Sequence, residues 1–246
     1  MAPSLFEALL SRRGAAVEAI NWCEADFAAT PHVAELFNTL SSFAFVVAGL
    51  SMLLTARRLR LPAALLAAGP LAALTGLASA AFHATLALAG QRVDELFETL
   101  TLVALLHGAS ASARALAHAA AAAAGVLLVS AFLFTELHLI SVAALTGAEL
   151  ASAARRLPGV AARVRVATAA AVAGAACWLA DRLLCDALSS PLLLFNPQLH
   201  AWWHVLGAVC LHEALAVLGA GHVLASGAKV PAWALVPLGT VRSSAK

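Results

Sequence analysis

The sequence predicts an all-α protein that crosses a membrane repeatedly, a bundle of seven transmembrane helices. Three observations predict it. Of the 246 residues 62% are apolar and only 11% are charged, less than half the charged share of a typical soluble domain, and mean hydropathy is +0.90. Seven apolar stretches approach the ~20 residues that cover the hydrocarbon core of a bilayer. The Lys and Arg residues fall unevenly on the segments between those stretches.

In chain order the stretches run over 36–55, 61–82, 95–112, 115–134, 137–154, 163–181 and 201–226. Ahead of them, the first twenty residues carry Glu7, Arg12, Arg13 and Glu18 and no continuous apolar core, so no cleavable signal peptide is expected and the first span acts as the signal. The second span ends on His83, a short turn over 88–92 follows, and Asp94 opens the third. The fourth carries an Ala-rich run from Ala115 to Gly125, the composition of a packed or lipid-facing helix. The fifth is short and contains His138 and Glu149. The sixth contains Cys177, and the seventh opens with His200 and His204 and contains Cys210. Residues 227–246, with Pro231 and Pro237, read as a loose tail. No linker of domain size and no fixed-period repeat interrupts the series, so the chain divides into an N-terminal segment (1–35), one bundle (36–226) and a tail (227–246).

Orientation follows from the basic residues, which are retained on the cytoplasmic side. Arg12, Arg13, Arg92 and Arg182 fall on the side of the N-terminus. Arg57, Arg58, Arg60, Arg114, Arg155, Arg156, Arg163, Arg165, Lys229, Arg242 and Lys246 fall on the other. This multi-pass membrane protein is therefore expected to carry its N-terminus outside the cytoplasm and its C-terminus inside. A net charge of +2, spread over loops rather than gathered on one face, gives no reason to expect a nucleic-acid partner. Cys177 and Cys210 lie within spans and read as small hydrophobes. Cys23 and Cys185 both fall on the outer side, where a disulfide persists, and are expected to pair.

The same outer face collects the chemistry. His200 and His204 are four residues apart and project from one helical face, the spacing with which two imidazoles grip one metal ion. His83 supplies a third ligand from a distant span, which makes a three-histidine zinc site with a position left for water. Zinc there lowers the pKa of water toward neutrality and polarises a carbonyl. Asp94 lies eleven residues after His83 and is the candidate for moving the proton, while Ser79, one turn before His83, is the candidate for the oxyanion or the water. Each has a plainer reading: interfacial histidines, an interfacial Asp, a helix-packing Ser. Trp202 and Trp203 read as interface anchors, and the histidines at 32, 107, 118, 138, 212 and 222 as structural. Paired histidines also hold haem, but the company of Asp and Ser argues against an electron carrier.

A second cluster precedes the first span. Asn21, Trp22, Glu24, Asp26 and Glu35 gather oxygen donors of the kind calcium takes, including a backbone carbonyl at Trp22, although the spacing is not that of an EF-hand and a solvated acidic loop would look the same.

Three ordered motifs resemble those of the alkaline ceramidases, within the wider seven-helix membrane hydrolase superfamily that includes the adiponectin-receptor-like proteins. The first is the run from Asn21 through Trp22, Cys23, Glu24 and Ala25 to Asp26, with Ala34-Glu35-Leu36-Phe37-Asn38-Thr39-Leu40-Ser41. The second is Ser79-Ala80-Ala81-Phe82-His83 with Asp94-Glu95-Leu96. The third is Asp181-Arg182-Leu183-Leu184-Cys185 with His200-Ala201-Trp202-Trp203-His204. The resemblance implies zinc on His83, His200 and His204, catalytic roles for Ser79 and Asp94, and calcium on Asn21, Trp22, Glu24, Asp26 and Glu35. The chain departs from the family in two places. Asn21 and Asp26 stand where the family commonly has Asp and Asn, and Phe97-Glu98 stands where it tends to have Pro-Met. Glu98, one turn beyond Asp94, either repels that carboxylate or pairs with Arg92. The expectation is a zinc-dependent intramembrane amidase that hydrolyses ceramide, or a similar N-acyl lipid, to a fatty acid and a sphingoid base, with calcium as a structural ion. The alternative is a non-catalytic lipid receptor that keeps the zinc site as structure.

Overall fold

The computed structural model describes residues 20–109, 132–189 and 196–237. Among them are six α-helices: α1 (Leu36–Arg58), α2 (Ala63–Thr85), α3 (Leu88–Ala109), α4 (Phe132–Arg156), α5 (Ala161–Leu188) and α6 (Leu199–Ala225). Short 3₁₀ turns lie at Pro158–Val160 and Ala232–Leu235. The fold is all-α over the described residues. Four helices, α1, α2, α5 and α6, are long and apolar enough to span a bilayer. Of the expected fourth span, all but residues 132–134 lies outside the described residues.

Helix α6 is the centre of the bundle. Every residue from His212 to Ala220 is buried, so all sides of the helix are covered rather than one stripe. Helix α1 is instead one-sided. Asn38, Ser42, Phe45, Ala48, Gly49, Met52 and Ala56 face inward at helical spacing, while Phe37, Leu40, Phe43, Val47, Leu50 and Leu54 are exposed. An apolar outer face on an apolar inner core is what lipid, not water, tolerates as a neighbour. Helices α1 and α2 approach at glycines: a Cβ on Gly49 would lie 2.5 Å from the Gly69 carbonyl oxygen, and one on Gly76 would lie 2.7 Å from the Ser42 carbonyl oxygen. Small residues allow this close crossing, which sets Ser42 opposite Ser79.

Three sequence expectations are corrected. Helix α3 starts at Leu88, so residues 88–92 are its first turn rather than a connection, and Asp94 lies inside the helix. The connection from α2 is much shorter: Leu86 takes a left-handed conformation (φ 51°) and its N–H closes α2 on the Phe82 carbonyl at 2.6 Å. Helix α5 extends to Leu188, with non-helical torsions at Leu184, and carries Arg163 and Arg182 as buried residues rather than loop charges. Charged side chains hid both extensions from a hydropathy reading. Part of the tail is docked: Ala234 is fully buried, and Arg163 donates from Nε to its carbonyl at 2.8 Å and from Nη2 to that of Trp233 at 3.1 Å.

Candidate metal centre

Four segments meet at one end of the bundle because the N-terminal segment ties them. The N–H groups of Ala34 and Glu35 bond the carbonyls of Ala84 and His83 at 3.0 Å each, satisfying acceptors that the last turn of α2 leaves open. Glu24 closes the start of α1: its two oxygens accept from the N–H groups of Phe37 at 2.7 Å and Asn38 at 2.9 Å, and a carboxylate suits the positive end of the helix dipole. Asp181 on α5 accepts from the Cys23 N–H at 3.0 Å and the His200 N–H at 3.3 Å, so it joins the segment to the first turn of α6. Cys23 and Cys185 are disulfide-bonded, with Cα atoms 5.3 Å apart.

Within this frame His83, His200 and His204 converge. One nitrogen from each lies within 4.8 Å of the others, and exposures of 1%, 4% and 3% keep the rings from bulk water. Buried imidazoles grouped without donors to separate them are a ligand set for a cation. Two of the rings are held from behind. The Nδ1 of His83 lies 2.5 Å from Glu35 Oε2, and the Nδ1 of His204 lies 2.8 Å from Ser41 Oγ and 3.4 Å from Ser42 Oγ. That leaves Nε2 of both free, the arrangement of a ligating histidine whose other nitrogen is fixed by an oxygen. The His200 ring stacks on Trp22 with centroids 3.6 Å apart, and its buried Nδ1 has no partner among the protein atoms. A zinc ion fits such a donor set.

Beside the triad, Ser79 is buried and hydrogen-bonds to Asp94. Its oxygen is also 3.1 Å from Ser42 Oγ. Polar contacts therefore run from Asp94 through Ser79 and Ser42 to the His204 ring. Arg92 pairs with Glu95 at 2.7 Å.

The candidate calcium residues lie nearby. Asn21 Nδ2 donates to Asp26 Oδ2 at 2.9 Å. Glu35 Oε1 accepts the Trp22 N–H at 3.1 Å, and Oε2 accepts from Asn38 Nδ2 at 3.0 Å. Burial pushes the Glu35 carboxyl up to about 7 against those hydrogen bonds, and the Asp26 charge adds to the rise. Burial likewise raises Glu24, with Glu35 contributing. Much of the donor capacity is already in use: both Glu24 oxygens face backbone N–H groups and Glu35 serves His83.

The ceramidase family model matches residues 14–234. The chain belongs to the ceramidase family. It is 26% identical to an alkaline ceramidase of Drosophila melanogaster over 228 residues, covering 80% of this chain and 74% of that one. It is 31% identical to an alkaline ceramidase of Caenorhabditis briggsae over 209 residues, covering 76% and 75%. The chain is thus a hydrolase of the ceramidase type.

Sequence reasoning names the three histidines that the structure brings together and misses the residues behind them. Asn38, Ser41, Ser42 and Asp181 had no assigned role, and Glu35 was read only as a calcium donor. Their signal was the inward helical spacing of Glu35, Asn38 and Ser42.

Proposed function

We propose that the chain is a zinc-dependent amidase working inside the membrane, which cleaves ceramide or a ceramide-like N-acyl lipid to a fatty acid and a sphingoid base. The observation that carries this is the buried triad of His83, His200 and His204, linked through Ser42 to Ser79 and its partner Asp94. Zinc held by the three imidazoles would supply a Lewis acid for the amide carbonyl and acidify a water. Asp94 accepts the proton of the attacking water and returns it to the departing amine nitrogen as the C–N bond breaks. Ser79 steadies Asp94 and has a second use. Once Asp94 is protonated it can donate to Ser79 Oγ, which frees the serine proton for the carbonyl oxygen where negative charge develops.

The exposed apolar flank of α1 suits entry of an acyl chain sideways from the bilayer. The orientation that fits the basic residues sets this site away from the cytoplasm. Calcium on Asn21, Trp22, Glu24, Asp26 and Glu35 would relieve the mutual repulsion of three carboxylates and hold the N-terminal segment against the site, sharing oxygens that already accept hydrogen bonds. A non-catalytic receptor is not favoured, since both curated relatives are named as enzymes.

The test is fatty-acid release from a panel of ceramides by purified protein, with metal analysis of the same sample. Turnover and zinc should both be present, and both should be lost in His204→Ala. Persistent turnover in the zinc-depleted variant would overturn the mechanism.

A further inference from the structure

Asn38 is joined to two of the triad histidines, to His83 through Glu35 and to His204 through Ser41 and Ser42. Its side-chain Nδ2 donates at 3.0 Å to Glu35 Oε2, the same oxygen that lies 2.5 Å from His83 Nδ1. Its backbone carbonyl accepts from Ser41 Oγ at 3.1 Å and Ser42 Oγ at 2.7 Å, and the same carbonyl interacts with the His204 ring. Its N–H is held by Glu24. The residue is 1% exposed.

Counting protons gives these contacts a direction. A serine hydroxyl has a single proton and two lone pairs. Ser41 spends its proton on the Asn38 carbonyl, so toward His204 it can only accept. The His204 Nδ1 must then carry hydrogen, which leaves Nε2 bare. On the other side Asn38 Nδ2 and His83 Nδ1 both donate to Glu35 Oε2, so His83 likewise presents a bare Nε2. We propose that Asn38, with Ser41, is the positioning unit of the metal site, fixing the tautomer and aim of two of the three imidazoles from a single turn of α1. This rests on the triad being a zinc site.

The comparison of Ser41→Thr with Ser41→Val tests it, because the two side chains share a shape and differ in the hydroxyl. Purified full-length protein is stripped of metal and reloaded with Zn²⁺ against a competing chelator, then with Co²⁺ to read the visible absorption of the site. Tm is measured alongside. The threonine variant should bind zinc as the wild type does, whereas the valine variant should bind about 10–100-fold more weakly with an altered cobalt spectrum, the usual consequence of losing a group behind a ligating histidine. Asn38→Ala keeps the backbone carbonyl behind Ser41 and loses only the Nδ2 donor to Glu35, so it should loosen the His83 ring alone and weaken zinc within the same range. Equal zinc affinity and cobalt spectra in the threonine and valine variants would overturn the positioning role and leave the zinc reading intact. Failure of the wild type itself to take up zinc would overturn both.

Discussion

Asp94 and His204 differ in what they would take from the site. An Asp94→Asn side chain keeps the volume and can still bond Ser79, but it accepts no proton near neutral pH. Turnover should fall by about 10²–10⁴-fold, the range for losing a general acid–base group, with zinc content unchanged. His204→Ala should remove zinc and turnover together. Measuring fatty acid and metal on the same preparations separates proton handling from metal binding, and loss of zinc in Asp94→Asn would make that residue a support of the ion rather than a base. The histidines were legible because an i, i+4 pair of imidazoles in an apolar span is costly and unusual. Ser41 and Ser42 were not, since serines are ordinary in membrane helix packing and only coordinates show which ring lies behind each.

Helix crossings turn such side chains into a site. A methyl on Gly76 would press on the Ser42 carbonyl at 2.7 Å and the Val46 N–H at 2.9 Å, and neither backbone can yield without moving α1. Gly76→Ala should cost about 1–3 kcal/mol by overpacking and pull Ser42 from Ser79, so a lower Tm should be accompanied by slower turnover. Normal turnover at a reduced Tm would show that the Ser42–Ser79 contact does not matter to the chemistry. Spacing in sequence indicated the buried face of α1 but not this crossing, because a glycine in a span has many possible neighbours. The ends of α3 and α5 were misread for a related reason. Arg92, Asp94, Glu95 and Glu98 depress hydropathy as a loop would, yet Gln91 and Arg92 bond Glu95 at 2.6 and 2.7 Å within one helix, and Arg182 lies over the Trp22 ring at 5.4 Å. A window average counts a charge and is blind to its partner.

The whole bundle is secured at both ends. At the end that holds the three histidines the Cys23–Cys185 bond closes a separation of 162 residues, so Cys23→Ser should cost a few kcal/mol and expose a Cys185 thiol that the native protein shows to labelling reagents only after reduction. At the other end Arg163 Nη1 meets Glu213 Oε2 at 2.6 Å, nine residues beyond His204, or about 14 Å along α6. Glu213 is fully buried, with His212 Nδ1 3.7 Å from its other oxygen. Arg163→Ala would leave that carboxylate in the core and release the Trp233 and Ala234 carbonyls, a loss of about 3–5 kcal/mol. Removing both charges, in Arg163→Leu with Glu213→Leu, should recover much of it, because the apolar surroundings of Val217 and Ala220 accept leucine where they resist an unpaired ion. Tm gives the coupling between the two positions. Zinc content gives the second reading, and it should stay at the wild-type level in the double variant, since the pair lies about 14 Å along α6 from His204. Recovered stability without recovered zinc would mean that the buried ion pair sets the register of α6, and with it the aim of His200 and His204, from the far end of the helix.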